Sequence, residues 1–245
     1  MNWANIINGV QNLPNEDITI ILSTYNEEKS IKNTIDELIK HIDNVEIVVV
    51  DDNSSDETFE ILNNIKYSKL KIFSRKKTKG LASTFLLGLI NARGDVIGWL
   101  DSNMGLLAKK FPEMISNLEN ADIVLLSRYV NGGGDNRNIV RVVSSKMINN
   151  FARFILRSKV KDLSSGIFVM KRKVLLDVVP IASGHGEFMV EFLYKAEKKG
   201  NKIVEIPYAH PIDIEGNSKS FPNLPRFLLL GFFYLWRIIQ AIFRR

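Results

Sequence analysis

The run Ile47-Val48-Val49-Val50 constrains this chain more than any other stretch. Consecutive β-branched residues with no polar alternation fit a strand buried on both faces, the environment of a parallel sheet covered by helices. The run stops abruptly at Asp51-Asp52-Asn53-Ser54-Ser55-Asp56. In an open α/β sheet ligands bind outside the carboxyl ends of the strands, so Asp51 and Asp52 stand where such a fold keeps its site. The same residue types also build turns and N-caps, and Ser55 or Asp56 is expected to cap the next helix.

The surrounding sequence repeats this pattern. Strands are predicted at 17–23, 47–50, 70–73, 95–100 and 122–127, each followed by a helical stretch. The first helix, for example, carries Ile31, Ile35, Leu38, Ile39 and Ile42 at spacings of three and four. Unbroken alternation of this kind means βα units and a largely parallel sheet, an α/β fold. Past Arg128-Tyr129 the pattern changes. Asn131–Asn136, with Gly132-Gly133-Gly134 inside it, reads as a flexible loop. A basic helix over 139–157, a strand over 167–170, a helix after Gly184-His185-Gly186-Glu187 and a late strand over 202–206 follow. A short helix is expected within Met1–Pro14, which lacks the basic start of a signal peptide.

With 245 residues, 45% of them hydrophobic, the chain suffices for one large domain with a real core. It has no cysteine, which excludes a disulfide framework and a thiolate metal site, and its three histidines argue against a His-rich one. The net charge of +6 suits phosphate-bearing partners or an anionic membrane surface. No nucleic-acid-binding motif is present, so nucleic acid is not an expected partner. The segment 227–243 is the most apolar and, as a helix of roughly 25 Å, falls just short of a bilayer core. Arg226, Arg237 and Arg244 share one helical stripe, with Gln240 beside it. That arrangement predicts an amphipathic helix lying in a membrane interface, with Phe233, Tyr234 and Trp236 at headgroup level. Packing on the domain or on a second subunit is the alternative.

Three polar clusters terminate predicted strands: Ser23–Glu27, Asp51–Asp56 and Asp101–Asn103. Carboxylates at adjacent strand ends suit a metal–diphosphate ligand, since hard oxygens hold Mg²⁺ or Mn²⁺ and the metal bridges phosphate oxygens.

Five motifs, in this order and spacing, carry a family resemblance: Ser23–Glu27, Val50–Asp56, Ser127–Gly134, Asp162–Phe168 and Gly216–Ser220. Over 18–221 the chain resembles the family 2 glycosyltransferases of GT-A (Rossmann-like) fold. Within them it looks most like the dolichyl-phosphate mannosyltransferases and related polyprenyl-phosphate hexose synthases. The resemblance implies a catalytic domain over 1–221 and a separate interfacial helix over 222–245. It implies that Thr24, Tyr25, Glu27, Asp51 and Asp52 hold the nucleotide, with Lys79 and Lys219 near the diphosphate. Asp101, with Asn103, is implied to ligate the divalent metal. Arg128, Arg141 and Ser145 are implied to grip the acceptor phosphate, Arg128 and Asp101 being central to catalysis. Asn103 stands where the family has a second aspartate, Gly105 where it has glutamine, and Asp213 where it has arginine. Loss of these charges and donors predicts weaker metal and diphosphate binding.

The expected activity is therefore inverting transfer of a hexose, mannose or glucose, from a nucleotide-diphosphate sugar to a polyprenyl phosphate. It would take place on the cytoplasmic face of a membrane. The alternatives are a family 2 transferase with a soluble or polysaccharide acceptor, or a non-catalytic nucleotide-sugar-binding subunit. The sequence leaves a homo-oligomer open.

Overall fold

The computed structural model describes residues 17–76, 80–212 and 224–243. The expected N-terminal helix, Lys79, Asp213 and Lys219 lie outside them. In chain order the first half runs β1 (Ile18–Thr24), α1 (Ile31–His41), β2 (Glu46–Asp51), α2 (Thr58–Asn64), β3 (Leu70–Ser74), α3 (Leu81–Asn91) and β4 (Val96–Asp101). A 3-10 turn (Gly105–Lys110), α4 (Phe111–Asn117) and β5 (Ile123–Ser127) follow. The second half adds β6 (Gly134–Asp135), α5 (Ile139–Leu156), β7 (Phe168–Lys171), α6 (Val174–Asp177), α7 (Phe188–Lys198), β8 (Ile203–Pro207), β9 (Ala209–His210) and α8 (Leu224–Phe243).

Seven strands form one sheet in the order β3-β2-β1-β4-β7-β5-β8. All neighbours are parallel except β7, which runs antiparallel to β4 and β5. Alternate residues of one strand feed two cores. Ile21, Val48, Val50 and Trp99 pack with Phe85, Phe168, Phe188 and Ile238 on one face. Ile20, Leu22, Ile47 and Val49 pack with Ile35, Leu38 and Phe111 on the other. Both faces of β2 are thus dry, as its unbroken β-branched run requires. The α/β reading holds, with helices on both faces of a mostly parallel sheet.

From β1 the chain builds outward through β2 and β3, then crosses to β4 on the opposite side of β1. The order reverses between β1 and β4, and a crevice opens at such a switch point on the carboxyl side. Ser23 pairs with Asp101 and Thr24 with Asp51 across that edge.

Two features depart from the sequence reading. The glycine-rich segment is not an unstructured loop. Gly133 N–H donates to the Val130 carbonyl, and Gly134–Asp135 pair in parallel with Ala209–His210. A Cβ on Gly133 would come within 2.7 Å of the Ser127 carbonyl, so glycine here serves close backbone packing. In the C-terminal helix Arg237 turns inward and is buried, and Ile238 and Ala241 join the core.

Gly98, central in β4, permits the approach of Ile20, Phe111 and Val169, whose atoms would lie 2.4, 3.0 and 3.3 Å from an added Cβ. Gly98→Ala is expected to lower unfolding stability by about 1–3 kcal/mol through overpacking. A denaturant titration checks this, and an unchanged midpoint would mean the core relaxes around the methyl group.

Candidate active site

Two loops, after β1 and after β2, are cross-linked into one wall. Asn26 N–H donates to Ser54 Oγ (2.9 Å), and Ser55 N–H returns to Asn26 Oδ1 (2.8 Å). Glu27 N–H donates to Thr58 Oγ1 (2.8 Å), and Glu28 N–H to Asp56 Oδ2 (3.2 Å). Asn26 and Asn53 take left-handed backbone (φ 53° and 59°), which asparagine tolerates better than other side chains. Asp56 also accepts from Thr58 N–H in the turn before α2, whose N-cap is Glu57 and not Ser55 or Asp56 as expected. Asp51 is buried and accepts from both the N–H and the hydroxyl of Ser54. The structure therefore uses the Asp51 carboxylate to close a turn.

Asp52 faces a different partner. Its carboxylate takes the Arg75 guanidinium and the Gly80 N–H (2.9 Å). Arg75 further bonds Ser83 Oγ (2.8 Å) and Thr84 Oγ1 (2.6 Å) on α3. Sequence reasoning missed Arg75. The available signal was an arginine directly after a strand whose neighbour ends in two carboxylates. At the tip of β1, Thr24 Oγ1 is buried without a hydrogen-bond partner among the described residues. Tyr25 is exposed beside it, and Glu27 is buried with one oxygen on Ser30 Oγ (2.9 Å).

Asp101 ends β4 next to Ser23. Burial of its carboxylate lifts its pKa to about 6, with a hydrogen bond to the Trp99 side chain opposing and the Glu27 charge adding. The following turn is fixed from below. Thr34 Oγ1 donates to the Ser102 carbonyl (2.7 Å), and a Cβ on Gly105 would lie 2.8 Å from Thr34 Cα. Only glycine fits there, a structural reason for the missing glutamine. Asn103 is exposed at the tip of this turn.

Arg128, just past β5, is almost wholly buried. It forms a two-pronged pair with Asp162 (Nε–Oδ2 2.8 Å, Nη2–Oδ1 2.7 Å) and donates to Ser164 Oγ (2.8 Å). Burial alone would disfavour its charge, but the adjacent Asp162 carboxylate outweighs that and holds it protonated. Its guanidinium also lies 5.0 Å from the Tyr129 ring, and Tyr129 hydroxyl donates to Ser145 Oγ (2.8 Å) on α5. Arg141, Ser145 and Asn149 follow at one-turn spacing, and Asn149 docks on Ser164 (2.8 Å).

The segment 162–166 joins the two halves. A Cβ on Gly166 would sit 3.9 Å from Asp101 Oδ2, while Asp162 holds Arg128. Tyr208, buried after β8, feels the charges of Arg128, Asp162 and Asp101 together. Asp101 and Arg128 are therefore both near enough to act on the Tyr208 hydroxyl. Of the sequence-predicted residues, Thr24, Tyr25, Glu27, Asp51, Asp52, Asp101, Asn103 and Arg128 gather at this edge, with Ser145 joined to it through Tyr129. The donor set suits a hard divalent cation: one carboxylate without a cationic partner among the described residues, and one amide oxygen two residues on. Among the described residues no three His, Asp or Glu side chains form a metal cluster, so phosphate and water oxygens would have to complete the shell.

With this geometry in view, comparisons with known proteins are informative. The sequence profile of Glycosyl transferase family 2 matches residues 19–179. A dolichol-phosphate mannosyltransferase of Pyrococcus furiosus is 34% identical over 82% of this chain, which spans 58% of that relative's length. A polyprenol monophosphomannose synthase of Mycolicibacterium smegmatis is 26% identical over 79% of this chain and 77% of its own. In fold, the chain matches glucosyl-3-phosphoglycerate synthase of Mycobacterium tuberculosis, solved with Mn²⁺, UDP and glucosyl-3-phosphoglycerate. The TM-score is 0.70 at 17% identity, covering 98% of this chain and 84% of that one. The same enzyme with Mg²⁺ and UDP gives a TM-score of 0.68.

Asp101 binds its proton more tightly in the folded chain than in the unfolded one. Ligand-free stability therefore falls as pH rises from about 4 to about 6 and stays reduced above. Asp101→Asn removes the charge and should raise the melting temperature by several degrees at about pH 7, with the gain fading towards about pH 4. Melts at both pH values test this; equal melting temperatures at the higher pH would refute an uncompensated Asp101.

Proposed function

The chain belongs to glycosyl transferase family 2, and on that premise we propose that it transfers a hexose from a nucleotide-diphosphate sugar to a polyprenyl phosphate at a membrane surface. One observation supports the reading: two charge systems of opposite sign stand at the carboxyl edge of one sheet, near enough that Asp101 and Arg128 both act on the Tyr208 hydroxyl. The carboxylate side, Asp52 and Asp101, suits a nucleotide and its metal-bound diphosphate. The cationic side, Arg128 with Arg141 and Ser145 on α5, suits a second phosphate.

The donor nucleotide would rest on Thr24, Tyr25, Glu27 and Asp52, with Asp51 shaping the loop and Lys79 and Lys219 closing on the diphosphate. Asp101 and Asn103 would hold Mg²⁺ or Mn²⁺, which when bound neutralises the leaving diphosphate. A phosphate monoester has its second pKa near ~6 and is mostly dianionic at neutral pH, so it needs no general base. Its oxygen forms the bond to the anomeric carbon. The opposite bond breaks, and its electron pair leaves with the nucleoside diphosphate, inverting configuration. No proton is transferred. The residues supply alignment and preorganised charge for two anions that would otherwise repel. Arg128, committed to Asp162, would fix the Tyr129–Ser145 wall and lend its charge, while Arg141 would meet the acceptor phosphate directly.

The polyprenyl acceptor is supported by what surrounds α5. Its polar stripe faces the site, while Met147 (66% exposed) and Phe154 (80%) stand outward with Ile139, Val143 and Phe151. α8 packs against α5 and α7 and likewise exposes Phe232 (58%), Trp236 (51%), Ile239 and Phe243. Two neighbouring helices with apolar outer faces make a surface for lipid, beside the position of the acceptor phosphate. Among the described residues no helix is long and apolar enough to cross a membrane, so these helices would lie in the interface. In this reading residues 222–245 serve as that interfacial helix and 1–221 as the catalytic domain.

The test is incubation of the protein with labelled GDP-mannose or UDP-glucose, Mn²⁺ and polyprenyl phosphate. Label should enter the organic phase with the wild type and not with Asp101→Ala. Arg141→Ala should raise the KM for the lipid roughly tenfold or more with a small change in donor KM. Label appearing only in polymer would replace the lipid acceptor with a polysaccharide. Separately, Phe154→Glu and Trp236→Glu should each cut cosedimentation with anionic vesicles roughly tenfold or more. Unchanged partitioning would remove the membrane from this account.

A further inference from the structure

Arg237 projects from the inner face of α8, 7% exposed, into the protein. One arm, Nη1, lies 3.4 Å from Glu191 Oε2 on α7. The other, Nη2, donates to the carbonyl of Ser183 (3.0 Å) and contacts its hydroxyl (3.3 Å). Nε makes no hydrogen bond among the described residues. A buried arginine so incompletely satisfied is a poor stabiliser, since well-packed apolar residues often do as well or better. What this residue does achieve is to hold a stretch of main chain.

That stretch, Ser183-Gly184-His185-Gly186-Glu187, touches α8 on one side and the nucleotide end of the site on the other. Gly184 has φ +104°, and a Cβ there would lie 2.2 Å from Glu187 Oε1 and 3.1 Å from Arg237 Nη2. A Cβ on Gly186 would lie 2.6 Å from the Tyr234 hydroxyl of α8. On the far side, the Gly184 carbonyl accepts Ala82 N–H (3.3 Å) from the first turn of α3. Immediately before that turn, Gly80 N–H donates to Asp52, and Arg75 ties Asp52 to Ser83 and Thr84. A continuous hydrogen-bonded path thus runs from α8 through residues 183–184 to the Asp52 cradle.

We propose that Arg237 is a positioning residue that couples the seating of α8 on a lipid surface to the nucleotide site. The inference rests on the transferase reading for the identity of that site. When α8 lies on a bilayer its position on the domain is fixed. Arg237 then fixes the Ser183–Gly184 main chain, and this sets the start of α3 against Asp52. Nucleotide affinity rises on the membrane, and by linkage bound nucleotide strengthens membrane attachment by the same factor. A donor held weakly in solution and tightly at the bilayer would be consumed where the lipid acceptor is.

The experiment is calorimetric titration of the full chain with GDP and with UDP in the presence of Mn²⁺. It is done with and without vesicles of phosphatidylcholine and phosphatidylglycerol. For the wild type, vesicles should tighten nucleotide binding roughly fivefold or more. Arg237→Met should still sediment with vesicles but bind nucleotide with the same weakened affinity in both conditions. If that variant does not fold, Glu191→Gln keeps side-chain volume, removes the pairing charge and should show the same loss of response. A wild type that binds nucleotide identically with and without vesicles overturns the coupling and leaves the transferase reading standing. So does a folded Arg237→Met that keeps the full vesicle response. A wild type that binds neither nucleotide removes the transferase reading and this inference with it.

Discussion

A carboxylate at the end of a strand that is dry on both faces has lost most of its water, and something must replace it. Asp51, Asp52 and Asp101 meet this at strand ends, and Asp162 meets it in the loop before β7. Asp51 receives an N–H and a hydroxyl from Ser54. Asp52 receives Arg75 and Gly80. Asp162 receives both prongs of Arg128. Asp101 has no cation among the described residues, and its proton affinity rises accordingly. The first three are finished structures, whereas the fourth is a charge awaiting a counterion. The proposed binding of a metal–diphosphate would offset this cost, so its gain would be realised only with the ligand bound.

Legibility of the fold followed burial. Strands β1, β2, β4 and β5 were readable to within a residue or so because each has a mostly apolar run that ends at a polar break. The orientation of β7 was not readable: its short apolar run does not distinguish it from the parallel strands, and direction is decided by how the chain returns. The β6–β9 ladder was hidden because two-residue strands carry no periodicity, and the glycines that permit tight packing on Ser127 and Arg128 look like loop glycines. The 3-10 turn over Gly105–Lys110 was missed for a similar reason, since its demand is steric contact with Thr34.

The site divides along the same line. Acidic clusters at strand ends, and the spacing of Arg141 and Ser145 along one helix, are one-dimensional signals. Pairings between distant segments are not. Nothing local says that Arg128 belongs to Asp162, that Arg75 belongs to Asp52, or that Asn26 zips to Ser54 and Ser55. Each partner is a common turn or strand-end residue, and it is strand pairing that brings them together: β1 with β2 for Asn26, β2 with β3 for Arg75, and β5 with antiparallel β7 for Arg128.

The last helix shows why a two-faced helical pattern does not say which face turns inward until its surroundings are known. A wheel with an arginine stripe on one side and Phe, Trp and Ile on the other fits a helix with its charges in water and its apolar side in lipid. It fits equally a helix with its apolar side in a protein core. The observed helix combines the two: Arg237 is inside, with Glu191, while Phe232, Trp236 and Phe243 face out. Removing an arginine from water is unfavourable, and leaving several large apolar side chains in water is unfavourable too. In a helix that ended in water both costs would stand together. In the proposed setting a lipid surface would remove the second, while the Ser183 carbonyl and Glu191 offset the first, which is how α8 and α5 would sit between a bilayer interface and the folded domain.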